Sequence, residues 1–67
     1  MRPLTPKEKE VLLLLRLGKS NSEIATTLSI SMNTVKTHIK SVYKKLEARN
    51  RTEAVVKSME IEKRKNE

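Results

Sequence analysis

The chain has 67 residues, a formal net charge of +7, no cysteine and a single aromatic residue, Tyr43. That length suits one domain, 1–67, which buries only about 60% of the surface its unfolded chain exposes and leaves no room for a deep substrate cavity. Without cysteine there is neither a disulfide framework nor a Cys-ligated zinc site, and one aromatic ring cannot form a base-stacking platform for single strands.

The charge favours polyanions: DNA, RNA or an anionic lipid surface. No apolar run approaches the roughly 18 residues of a membrane span, and the five apolar residues 11–15 are too few for a secretory signal. A cytoplasmic protein without membrane association is expected.

Residues 1–4 read as a short N-terminal arm, kept out of a helix by Pro3. Thr5, Pro6 and Glu8 make a compact helix start: a cap, a proline suited to the first turn and the second half of a capping box. The first helix should run to about Leu17, with Val11, Leu14 and Leu15 buried, Leu12 and Leu17 flanking and Leu13 outward. Gly18, the only glycine, falls where a helix end favours a left-handed residue. Ser20 and Glu23 repeat the capping pattern and open a short helix, about 21–29, that buries Ile24, Ala25 and Leu28. Residues 29–31 make a tight turn, with Ile30 inward and Ser31 capping the next helix.

That helix, 31–46, organises the chain. Val35, Ile39, Val42 and Leu46 recur at the spacing of one buried stripe. The opposite arc carries Asn33, Thr37, Lys40, Ser41 and Lys44, flanked by Thr34 and Lys36. Residues 31–51 hold six cations (Lys36, Lys40, Lys44, Lys45, Arg49, Arg51) and one acid, Glu47, so they carry five of the seven net charges. A helix that only packs usually mixes its charge signs. Two short helices joined by a three-residue turn form the helix-turn-helix plan, whose second helix enters the DNA major groove. Asn50 and Glu53 offer a third capping box for a last helix, from about Arg51 to Ile61 or a little beyond, that buries Ala54, Ser58 and Ile61. Residues 62–67 read as a frayed charged tail.

Leu4-Thr5-Pro6-Lys7-Glu8-Lys9-Glu10-Val11-Leu12, Gly18, Asn21-Ser22-Glu23-Ile24-Ala25, Leu28, Ser31, Thr34-Val35-Lys36-Thr37-His38, Lys45-Leu46 and Asn50-Arg51-Thr52-Glu53-Ala54 together resemble the LuxR-type helix-turn-helix domain. The resemblance spans residues 4–58. It implies an all-α, four-helix fold, a non-enzymatic DNA-binding output domain of a bacterial transcription regulator, and no cofactor, metal or small-molecule ligand. It also implies base contacts at Lys36, Thr37 and Lys40, and DNA-backbone contacts at Thr34, Lys44 and Lys45. Asn33 and Ser41 on the outer arc and the cation Arg51 join the backbone group.

In that family the fourth helix commonly forms a dimer contact. Here Val55, Val56 and Met59 lie off its buried arc, with Val56 and Met59 farthest out, so a weak homodimer on a two-fold DNA site is expected. RNA polymerase is a further partner to be expected. One position departs from the pattern: many members have Gly after the Lys-Leu closing the third helix, whereas this chain has Glu47, which takes a left-handed conformation only at some energetic penalty.

Competing functions are a σ-factor-like promoter-reading domain, a basic module gripping an acidic protein, and an enzyme. The last has no paired carboxylates in a cleft, no His–Ser–Asp constellation and no glycine-rich phosphate loop to support it.

Overall fold

The computed structural model describes the backbone of residues 3–65 and the side chains of residues 3–61. Each of its four helices begins where a side chain supplies an acceptor to an amide with no partner inside the helix. Thr5 Oγ1 accepts from the Glu8 N–H at 3.1 Å, and Glu8 Oε1 accepts from the Thr5 N–H at 2.8 Å, opening α1 (Pro6–Arg16). Ser20 and Glu23 repeat the box at 3.1 and 2.8 Å for α2 (Asn21–Leu28). The Ser20 N–H holds the Glu23 carboxyl below its ordinary value. Ser31 Oγ accepts from the Thr34 N–H at 3.1 Å to start α3 (Met32–Leu46). At α4 (Arg51–Lys65), Asn50 Oδ1 accepts from the Glu53 N–H at 2.9 Å. The expected reciprocal bond is displaced by one residue: Glu53 Oε1 takes the Arg49 N–H at 2.9 Å, serving the connecting bend instead of the cap.

Three helix ends share one solution. A left-handed residue follows the last turn, and its amide and the next one fold back onto helix carbonyls. Gly18 (φ 80) bonds Leu15 O, and Lys19 bonds Leu14 O. Ser29 (φ 55) bonds Thr26 O, and Ile30 bonds Ala25 O, which turns Ile30 onto the core. Glu47 (φ 56) bonds Lys44 O, and Ala48 bonds Tyr43 O. The chain therefore adopts the left-handed exit at Glu47 without a glycine.

α3 touches each of the other three helices. It supplies Val35, Ile39, Val42 and Leu46 to a core completed by Val11, Leu12 and Leu15 of α1, Ile24 and Ala25 of α2, and Ala54 of α4. α4 buries small side chains, Ala54 and Ser58, and the Ser58 hydroxyl donates to Val55 O at 2.8 Å. The fold is all-α with four helices, as the sequence pattern predicts.

Details differ. α1 ends at Arg16, so Leu17 is 63% exposed, while Leu12 is buried and Leu14 half-buried. Leu13 faces outward, and Leu28 is half-buried. Leu4, before α1, packs on the core. Residues 62–65 of the expected frayed tail continue α4 as helix. The rest of that tail, 66–67, and the start of the N-terminal arm, 1–2, lie outside the described residues.

Candidate nucleic-acid interface

At 100° per residue, a helix with one buried stripe must turn the intervening residues away from the core. With the stripe of α3 inside, Asn33, Thr34, Lys36, Thr37, Lys40 and Lys44 are all exposed. Lys36, Lys40 and Lys44 follow one another at four-residue steps, about 12 Å from first to last at 1.5 Å rise per residue. α3 contains no Asp or Glu, so no acid within the helix offsets this row. The Thr37 hydroxyl donates to Asn33 O at 3.0 Å, which leaves its lone pairs and methyl turned outward. The hydroxyls of Thr34 and Ser31 pair at 2.8 Å beside the first turn.

A second flank of α3 has a different task. Ser41 and Lys45, one turn apart, point at α1 and meet Glu8, which is 4% exposed. The Lys45 Nζ donates to Glu8 Oε1 at 2.6 Å, and the Ser41 hydroxyl donates to Oε2. Burial alone would push the Glu8 carboxyl up. The hydrogen bonds from Lys45, from Ser41 and from the Thr5 N–H, together with the Lys45 charge, outweigh burial and hold the carboxyl down to about 2. Ser41 and Lys45, expected to face the DNA backbone, are thus drawn inward, because the buried carboxylate requires donors and these two supply them.

Arg51, at the start of α4, donates from Nη2 to Asn21 Oδ1 at 3.1 Å and so joins the beginnings of α4 and α2. The Lys57 Nζ donates to Glu47 O at 2.5 Å, capping the exit of α3 from α4. On α4, Val56 and Met59 are exposed (47% and 53%), whereas Val55 is half-buried and packs on the core. Val55 is therefore unlike the other two residues expected at a dimer contact. His38 and Tyr43 are half-buried, and no group of three His, Asp or Glu able to hold a metal occurs among the described residues. No described helix is long and apolar enough to cross a membrane.

Glu8 was legible only as a capping residue, yet a signal for its second role is present. It stands three, four and seven residues before Val11, Leu12 and Leu15, on the buried stripe of its own helix. A carboxylate on such a stripe requires a partner.

The family model for bacterial regulatory proteins of the luxR family matches residues 2–58. The chain belongs to the luxR family. Among its relatives, the CsgBAC operon transcriptional regulatory protein of Escherichia coli strain K12 is 58% identical over 52 residues, covering 78% of this chain and 24% of that protein. The transcriptional regulatory protein DesR of Bacillus subtilis strain 168 is 50% identical over 58 residues, covering 87% of this chain and 29% of DesR. A solved structure of the response regulator ChrA, from a heme-sensing two-component system, superposes with a TM-score of 0.88 at 39% identity, over 92% of this chain and 31% of ChrA. This luxR-family domain thus spans about a quarter of the length of the curated relatives it matches.

Proposed function

We propose that this luxR-family domain binds double-stranded DNA sequence-specifically, as the output domain of a bacterial transcription regulator, with α3 in the major groove. The observation that carries this is the acid-free exposed face of α3: three lysines in a row, with threonine and asparagine beside them and no carboxylate in the helix. A helix of 15 residues is about 22 Å long and fits a groove about 12 Å wide. The lysine row covers roughly three and a half base-pair steps at about 3.4 Å each.

Lys36 and Lys40 donate to guanine O6 or N7, and Thr37 contacts a thymine methyl or a base acceptor. Asn33, Thr34, Lys44 and Arg51 hold the DNA backbone, which sets register without reading sequence. Ser41 and Lys45 leave that group because Glu8 engages them. Val56 and Met59 form a small isologous contact that pairs two domains on a two-fold site, with RNA polymerase as the further partner of the whole regulator.

The test is random-site selection on duplex DNA with sequencing of the enriched pool. A shared motif of about half a helical turn per domain is expected. A pool that stays random, with affinity insensitive to salt, would refute the proposal.

A further inference from the structure

The buried stripe of α3 sets which face of the helix lies inward, but apolar packing is non-directional and fixes the roll less finely than hydrogen bonds do. Base reading does depend on that angle. A roll of about 20° moves a side-chain atom 5–6 Å from the axis by roughly 2 Å, more than a hydrogen bond to a base edge tolerates. Among the described residues, one polar cluster ties α3 to α1 in a way that bears on the roll. Ser41 and Lys45, one turn apart on α3, grip the two oxygens of a single carboxylate, Glu8. That carboxylate is itself held at the capped start of α1 by the Thr5 N–H at 2.8 Å.

We infer that Glu8 is a positioning residue for DNA recognition: through Ser41 and Lys45 it fixes the roll of α3 and keeps the Lys45 ammonium off the DNA backbone. Both anchors lie off the axis of α3, so a roll of the helix would carry both side chains away from the carboxylate and lengthen both bonds. Stability alone is a weak reason to bury an ion pair, since apolar residues of similar volume often serve as well or better. Lys45 is also the one cation of α3 whose side chain is mostly covered, at 19% exposure, and its partner is nearly closed to solvent. Glu8 itself touches no DNA in this arrangement. This inference rests on the DNA-binding reading above.

The informative variant is Glu8→Gln. Its amide oxygen can still accept from the Thr5 N–H, and its amide nitrogen can donate to a reversed Ser41 hydroxyl, so the principal loss is the charge that retains Lys45. Affinities of the full chain are measured for the duplex most enriched by selection and for a scrambled duplex of the same length and composition, at a temperature where circular dichroism shows a folded protein.

For Glu8→Gln the ratio of the two affinities falls roughly tenfold, the worth of about one good base contact. On the scrambled duplex the slope of log K against log salt steepens by about 0.9, as Lys45 reaches a phosphate. Ser58→Ala, which removes a buried hydroxyl that bonds within α4, retains the ratio and slope of the unaltered chain. Should Glu8→Gln not fold, Ser41→Ala removes one anchor and keeps the ion pair, and its ratio falls as well. A folded Glu8→Gln with unchanged ratio and slope, or a folded Ser41→Ala with an unchanged ratio, overturns the inference and makes Glu8 a strut only. Failure of the unaltered chain to bind any duplex would instead overturn the DNA-binding reading, and this inference with it.

Discussion

Replacing Glu47 by Gly should stabilise the domain. Glu47 ends α3 with φ 56 and ψ 39, a conformation in which its Cβ crowds the neighbouring carbonyl. Relief of that crowding is worth roughly 1–2 kcal/mol, and the extra freedom of glycine in the unfolded chain returns about 0.4–1 kcal/mol of it. Removing a negative charge from a helix C-terminus adds a few tenths more, about 0.3 kcal/mol at an exposed site. The net gain is then about 1 kcal/mol, or roughly 4–8 °C in midpoint for a domain of this size. The Lys57 cap survives the change because it reaches the main-chain oxygen of residue 47.

Thermal and urea unfolding followed by circular dichroism measures the gain, with Glu47→Ala as the reference. Alanine loses the charge but keeps the Cβ, so the difference between the two variants isolates the backbone contribution. If Glu47→Ala is as stable as Glu47→Gly, the left-handed residue stores no strain and the reasoning fails.

Acid should weaken the fold through Glu8. Its carboxyl is held at about 2 in the folded state against an ordinary value of 4.5, so its contribution is fully present above pH 4.5 and fades as pH falls toward 2. Urea titrations should find the domain roughly 1–2 kcal/mol weaker at pH 3 than at pH 7 from this group, and Glu8→Gln should lose that part of the dependence. An equal acid loss in the variant would assign the effect elsewhere. Lys40→Ala should relax preference at one or two base pairs with a loss of about 1–3 kcal/mol, whereas Lys44→Ala should weaken all duplexes alike. Uniform losses from both, measured on single-base variants of the selected duplex, would remove Lys40 from the groove floor. A Val56→Glu, Met59→Glu double variant should stay folded and keep half-site binding, but lose cooperative binding to a palindrome in gel-shift titrations. Undiminished cooperativity would rule out that face of α4.

Much of the fold was legible because its signals are local. Thr5, Ser20, Ser31 and Asn50 each stand three residues before an amide they cap, and the stripe from Val35 to Leu46 has one consistent period. What the sequence obscured depends on which of two nearby amides or neighbours a side chain meets, and on how far a helix runs on. Arg49, in the bend between α3 and α4, draws Glu53 away from its cap. Leu12 and Leu14 exchange the burial expected of them, since adjacent positions at the edge of a stripe are decided by which neighbour arrives. Residues 62–65 stay helical although all four are charged, because Glu, Lys and Arg are good helix formers and need no burial to continue a turn.

The candidate site shows the same division. Read along the sequence, the cations from Lys36 to Arg51 form a single block. Folded, they divide by side: Lys36, Lys40 and Lys44 stay in solvent, Lys45 is neutralised by a carboxylate 37 positions away, and Arg51 is anchored to Asn21. The three exposed lysines of α3 are therefore only part of the net charge of +7. With Lys44 and Arg51 as the cations proposed on phosphates, one domain would have a salt slope of about −2, a weak electrostatic attachment. Specific binding by such a domain has to come from aim and from pairing rather than from bulk attraction. Glu8 would supply the aim by fixing the roll of α3. The exposed Val56 and Met59 would supply the pairing, since two domains on one duplex double the phosphates engaged while each contact between them stays small.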